Sequence, residues 1–215
     1  EEIRMNPYKT KIQNDSFNDC CSLKHFIFDE NINILKKYNH KQIGSINKIT
    51  LPSKTTIIES SSFQNFSTLK EINIPSTVTE IGSNSFNGCS SLIEIIISSS
   101  VRSFGAYMFK GCSSLEKVEL LSSLTEIGDK SFDGCSSLKQ LSIPDSVTKI
   151  GYASFKGCSS LEEISISSSL KIIGAKAFEK CTNLLKISIP SSVTSIGNDA
   201  FYECSSLEIV EIDSS

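Results

Sequence analysis

The sequence predicts a repeat solenoid with a parallel β-sheet along one face, and three observations carry that prediction. The 23-residue stretch from Leu138 to Ser160 recurs in register along nearly the whole chain, and a period of 20–50 residues is the mark of stacked supersecondary units. Three apolar columns keep the step: one runs through Leu23, Leu69, Leu138 and Leu207, a second through Phe26, Ile72, Leu141 and Val210, a third through Phe28, Ile74, Ile143 and Ile212. Phenylalanine repeats from Phe63 to Phe201, glycine from Gly82 to Gly197 and cysteine from Cys89 to Cys204, and no insertion breaks the count.

Within one unit, Leu141-x-Ile143 has the alternation of a half-buried strand. Pro144 then ends it, because proline has no N–H for a ladder; Pro52, Pro75 and Pro190 fall at the same place. A shorter apolar pair, Val147 and Ile150, predicts a second strand, closed by Gly151, which suits a tight turn with positive φ. The remainder, YASFKGCSS, carries one aromatic and one sulfur on a short helical or 3₁₀ turn. Such units cannot bury their apolar face alone, whereas stacked copies form a continuous core.

The chain reads as a single solenoid over 1–215, with about nine units, of which 1–68 are divergent and 69–215 regular. From Phe28 to Gln42 the spacing survives but the Pro, Gly and Phe are replaced by Asp29, Lys36 and His40. Decay towards an end accounts for this; a short helix over NILKKYNHK is the alternative. The sequence opens in mid-unit and stops within the tenth, as a fragment of a longer protein would.

A formal charge of −3 and a pI near 5.5 give no basic footprint for nucleic acid. The longest apolar runs, such as Ile95-Ile96-Ile97, are far below the ~20 residues of a membrane helix, so no membrane insertion is expected within this chain. Catalysis is not expected either. The only histidines, His25 and His40, lie in the divergent start without a recurring Ser, Asp or Cys partner, and no phosphate loop or cofactor motif occurs. The cysteine ladder reads best as free buried thiols packed as small hydrophobes. Neighbour disulfides and a soft-metal row are the alternatives, the first disfavoured because in-register side chains point the same way. Cys20 takes the ladder position and Cys21 is the extra, more exposed thiol.

The units LxxIxIPxSVTxIGxxAFxGCSS resemble the BspA-like, or TpLRR-type, leucine-rich repeats over residues 12 to 215. That resemblance implies a right-handed leucine-rich-repeat-like coil and a non-catalytic protein-binding or adhesion module at the surface of a cell, contacting host or matrix proteins. An intracellular scaffold in the cytoplasm is the competing reading. Conventional leucine-rich repeats carry Asn or Cys eight residues after the leading leucine; here stand Asn31, Lys54, Thr77, Ser100, Ser123, Ser146, Ser169 and Ser192, whose hydroxyls can do part of the same bonding.

If the leading apolar columns face inward, the second and fourth residues after each leading leucine face out. Most are polar. Ile96 is the exception, with Ile93 at the strand's entry and Leu121 in place of the next unit's proline. This apolar cluster, rimmed by Glu94 and Glu119, is the candidate partner-binding site. Asn14-Asp15-Ser16 and Asn65-Phe66-Ser67 are sequons, making Asn14 and Asn65 candidate glycosylation sites.

Overall fold

A computed structural model describes residues 2–5, 23–36, 46–121 and 124–213. Two strands are laid down per coil. The longer ones are β1 (Glu2–Met5), β2 (His25–Phe28), β4 (Lys48–Thr50), β6 (Glu71–Asn73), β8 (Glu94–Ile97), β10 (Lys117–Leu120), β12 (Gln140–Ser142), β14 (Glu163–Ser165), β16 (Lys186–Ile189) and β18 (Ile209–Ile212). Between them run the two-residue strands β3 (Ile34–Leu35), β5 (Ile57–Ile58), β7 (Glu80–Ile81), β9 (Ser103–Phe104), β11 (Glu126–Ile127), β13 (Lys149–Ile150), β15 (Ile172–Ile173) and β17 (Ser195–Ile196).

Every pairing is parallel and in step with the sequence period: Ile49 sits beside Ile72, Leu141 beside Ile164, and Ile150 beside Ile173. The prolines Pro52, Pro75, Pro144 and Pro190 stand just past the strand ends, where a missing N–H costs nothing. In the divergent start, Ile34–Leu35 forms a strand paired with β5, so a helix does not begin there. Residues 37–45, His40 among them, lie outside the described residues, as do Asn14, Cys20 and Cys21.

The core is one continuous column between the two ladders. Phe63, Phe86, Phe109, Phe132, Phe155, Phe178 and Phe201 stack in file with ring centroids 5.2–5.7 Å apart, a separation at which aromatic pairs attract beyond simple burial.

The expected turn segment forms as isolated i→i+3 turns rather than as a helix, and among the described residues there is no helix. A helix would spend successive amides within its own coil, but here alternate amides go to the next one: Ala153, Phe155 and Gly157 donate to the carbonyls of Ala175, Ala177 and Glu179. The amides between them close isolated turns, Lys156 to Ala153 and Cys158 to Phe155. Two left-handed residues per coil make this possible, at the places of Ala153 (φ 51°) and Gly157 (φ 69°).

A second correction concerns glycine. The Gly151 row does not have positive φ; the left-handed glycines are Gly88, Gly111, Gly134 and Gly157. Gly82, Gly105, Gly151, Gly174 and Gly197 are required by close approach between coils, whereas Gly128 of the same row has room for a Cβ. A Cβ on Gly174 would lie 2.6 Å from both the carbonyl carbon and oxygen of Gly151.

Candidate functional site

The ladder cysteines are structural and chemically quiet. Cys89, Cys112, Cys135, Cys158, Cys181 and Cys204 are free, and each thiol donates to the carbonyl of a phenylalanine 26 residues earlier, for example Cys135 to Phe109 at 3.1 Å. The sulfur therefore adds a second hydrogen bond to a carbonyl that already accepts a turn amide, as well as filling space. Burial pushes the thiols up, Cys112 to about 12, which disfavours thiolate and the reactivity that depends on it. Among the described residues no cluster of three or more His, Cys, Asp or Glu could hold a metal ion.

Three of the hydroxyls eight residues into a unit bond across coils. Thr77, Ser100 and Ser192 donate to the carbonyls of Thr55, Val78 and Leu170, each at 2.6 Å. In the coil of Ser169 the task passes to Ser167, which donates to Asp145 at 3.1 Å. Ser146 Oγ is buried without a partner.

Among the described residues, His25 makes the one arrangement resembling a catalytic relay. Its Nε2 lies 2.7 Å from Thr50 Oγ1 and its Nδ1 3.5 Å from Glu2 Oε2. The flanking backbone of β2 and β4 is committed to the parallel ladder on both sides, so no N–H pair is free to hold an oxyanion. The group reads as a polar rung on the sheet.

The outer face of the long-strand sheet carries shallow depressions among the described residues, including ones of about 220 Å³ over β4, β6 and β8, about 590 Å³ over β10, β12 and β14, and about 500 Å³ over β14 and β16. Ile93, Ile96 and Leu121 are 43%, 49% and 59% exposed; with buried rows on either side of them, these are surface residues. Ile96 and Glu119 occupy paired positions on β8 and β10. Glu94 is exposed beside Ile93, and Glu119 is tied to Lys117 at 2.6 Å. That hydrogen bond raises the lysine's pKa.

Leu121 explains why this pair of strands differs from its neighbours. With no proline there, its N–H donates to the carbonyl of Ile97 at 2.9 Å, and β8 and β10 run four residues against three in β6 and β12. One position breaks the outward pattern: Ile27, on the same column as Ile96, is buried.

Sequence reasoning passed over a second apolar pair on this face. Leu185 is 52% exposed and Ile209 47%, adjacent because the Leu185 carbonyl accepts the N–H groups of Glu208 and Ile209. The signal was available, since Leu185 occupies the same place in its unit as Ile93. Also unforeseen was a charged row on the turn edge, where Lys110 meets Asp133 at 3.3 Å and Lys156 meets Glu179 at 2.8 Å. Lys130 lies over the rings of Tyr107 and Tyr152 there. Asn65 is exposed with φ 62°, at the place the later units give to glycine.

Stacked 23-residue coils with a parallel sheet on one side and a buried phenylalanine file on the other define a leucine-rich-repeat solenoid. The chain belongs to the BspA type leucine-rich repeat family, whose six-copy model matches residues 1–116 and 102–215. Among solved structures it is similar to a leucine-rich repeat protein from Eubacterium ventriosum (23% identity, TM-score 0.73), covering 100% of this chain and 60% of that one. It is similar also to the T. pallidum leucine-rich repeat protein TpLRR (28%, TM-score 0.68; 75% of this chain, 78% of that one). A third is a leucine-rich repeat protein from Bacteroides ovatus (23%, TM-score 0.59; 88% and 69%). The chain thus spans 60% of the length of the Eubacterium protein. No curated protein sequence matches it.

Proposed function

We propose that this chain is a non-catalytic adhesion module displayed on a cell surface, binding host or matrix proteins through the outer face of its long-strand sheet. The observation that carries the reading is the exposed apolar cluster of Ile93, Ile96 and Leu121 on a face where most of the outward side chains are polar. Apolar side chains of this size in water favour a covering partner, and each contributes roughly 1.5–3 kcal/mol when fully buried. Glu94 and Glu119 on the rim supply orientation rather than affinity. Membership of the BspA type family supports a protein-binding role, and no helix among the described residues is long and apolar enough to cross a membrane. The six cysteines among the described residues, all free, favour a second reading, an intracellular scaffold, because reducing compartments keep cysteines unpaired.

The test has two arms. Antibody labelling of intact source cells separates surface from interior. Binding of the purified chain to a panel of extracellular matrix proteins, compared with Ile96→Glu, tests the face. Surface labelling together with binding that the substitution weakens at least tenfold supports the proposal. Labelling only after lysis, or binding indifferent to Ile96→Glu, overturns it.

A further inference from the structure

The outer sheet face carries a spacing and a charge that together describe its partner. Ile93 and Leu185 occupy the same place in their units, four coils apart, which at one strand spacing per coil is about 19 Å. Both are about half exposed. The column between them reads Glu116, Lys139 and Glu162, all exposed. Over the six coils from Leu92 onward, the first, second, fourth and sixth residues after each leading leucine include eight carboxylates and three lysines, a net of −5 against −3 for the whole chain. Lys117 is neutralised by Glu119 and Lys186 by Glu211, so the acidic excess is carried by groups such as Glu94, Glu116, Glu162 and Glu163.

We propose that this face binds an extended, basic polypeptide segment running along the solenoid axis, with two apolar side chains six residues apart, one on Ile93 and its neighbours, the other on Leu185. An extended chain advances about 3.3 Å per residue, so six residues cover the distance between the two anchors. Because side chains alternate, the first and seventh residues face the sheet together with the third and fifth. Lysines at the third and fifth places meet Glu116 and Glu162. This rests on the protein-binding reading above and gives that reading a partner chemistry.

The probe is the synthetic peptide Leu-Thr-Lys-Thr-Lys-Thr-Leu carrying a fluorophore, titrated with the chain and followed by anisotropy. Companion peptides place the two leucines three or nine residues apart, or replace both lysines by glutamate. The six-residue spacing is expected to bind at least tenfold more tightly than either other spacing and than the acidic version. That affinity should fall as salt is raised from 50 to 500 mM, since exposed charges are screened. Leu185→Lys and Ile93→Lys are each expected to abolish the preference for spacing, with unchanged circular dichroism showing that both variants fold. Equal affinity for all spacings, or no peptide binding while a matrix protein still binds in an Ile96-dependent way, overturns this inference and leaves the broader reading standing. A concentration-dependent dimer in sedimentation velocity, lost in Leu185→Lys, also overturns it by making a second copy the occupant. If no protein or peptide engages this face, both fall.

Discussion

Two glycine rows that look alike in sequence do different work, and substituting alanine separates them. In Gly174→Ala the new Cβ lies 2.6 Å from the carbonyl carbon and oxygen of Gly151 and 2.9 Å from the Ile150 carbonyl oxygen. All three are backbone atoms in a coil that is itself tied down, since Gly174 N–H donates to Ile150 at 2.8 Å. Relief requires the coils to part, so the cost sits at the upper end of overpacking penalties, about 3 kcal/mol. In Gly128→Ala, from the same row, the nearest atoms are the Ser131 hydroxyl at 3.3 Å and Ala106 Cα at 3.4 Å. That strain is small, and the loss of unfolded-chain entropy returns about 0.4–1 kcal/mol, leaving a net change within about 1 kcal/mol of zero. Gly134→Ala meets nothing closer than 3.8 Å but sits at φ +79°, so its cost is conformational, about 1–2 kcal/mol. For a protein of this size each kcal/mol moves Tm by about 2–4 °C. The chain has no tryptophan, so far-UV circular dichroism is the probe for thermal and urea unfolding. The expected order of destabilisation is Gly174→Ala, then Gly134→Ala, then Gly128→Ala. Equal losses at Gly174 and Gly128, or a neutral Gly174→Ala, would refute the close-approach argument.

Three further outcomes are expected. Native alkylation with iodoacetamide at pH 8 should leave Cys89, Cys112, Cys135, Cys158 and Cys181 unmodified, because burial raises each thiol; peptide mass mapping showing rapid modification of these five would contradict it. The Phe109 carbonyl also accepts the Cys112 N–H at 3.0 Å, so Cys135→Val removes its second hydrogen bond without orphaning it, and urea midpoints should place the valine variant within about 1 kcal/mol of Cys135→Ser; a valine variant lower by about 2 kcal/mol or more would show that the thiol bond is worth more than a second bond to a satisfied carbonyl. Glu179, 5% exposed, has its carboxyl held below the usual range by the Lys156 hydrogen bond. A depressed folded pKa stabilises above the unfolded value near 4.3 and that stability is lost as pH falls through the folded one. Glu179→Gln should therefore flatten the rise in urea midpoint between about pH 3 and 5, and an unchanged profile would exclude the pair as its source.

Much of the architecture was legible because the inward columns never lapse: from Leu69 to Leu184 each leading leucine is buried where its column places it, and a period of 23 leaves one way to stack the strands. The turn segment was less legible. Ala153, Tyr107 and Lys176 give no hint of left-handed backbone, since only glycine advertises it, and the glycine that does stand out, Gly151, is needed for room. In sequence the ladder cysteines look like small hydrophobes, and nothing in a spacing shows that a thiol 26 residues on from a phenylalanine will meet its carbonyl. On the candidate face, Ile96 and Leu121 were visible because each broke a column of polar residues or prolines. Leu185 escaped notice because its column mixes charged and apolar residues, as in Lys139, Glu162 and Ile93, so no rule was broken by it.

The central claim is that the outer sheet face recognises the partner while the turn edge serves the fold. The most direct measurement is the affinity of one binding protein for the wild-type chain, for Ile96→Glu and for Tyr152→Ala, the last an exposed aromatic on the turn edge, with Tm recorded for each. The account predicts that Ile96→Glu loses at least tenfold in affinity with Tm unchanged and that Tyr152→Ala binds as wild type. A loss confined to Tyr152→Ala would contradict it and move the recognition surface to the other side of the coil.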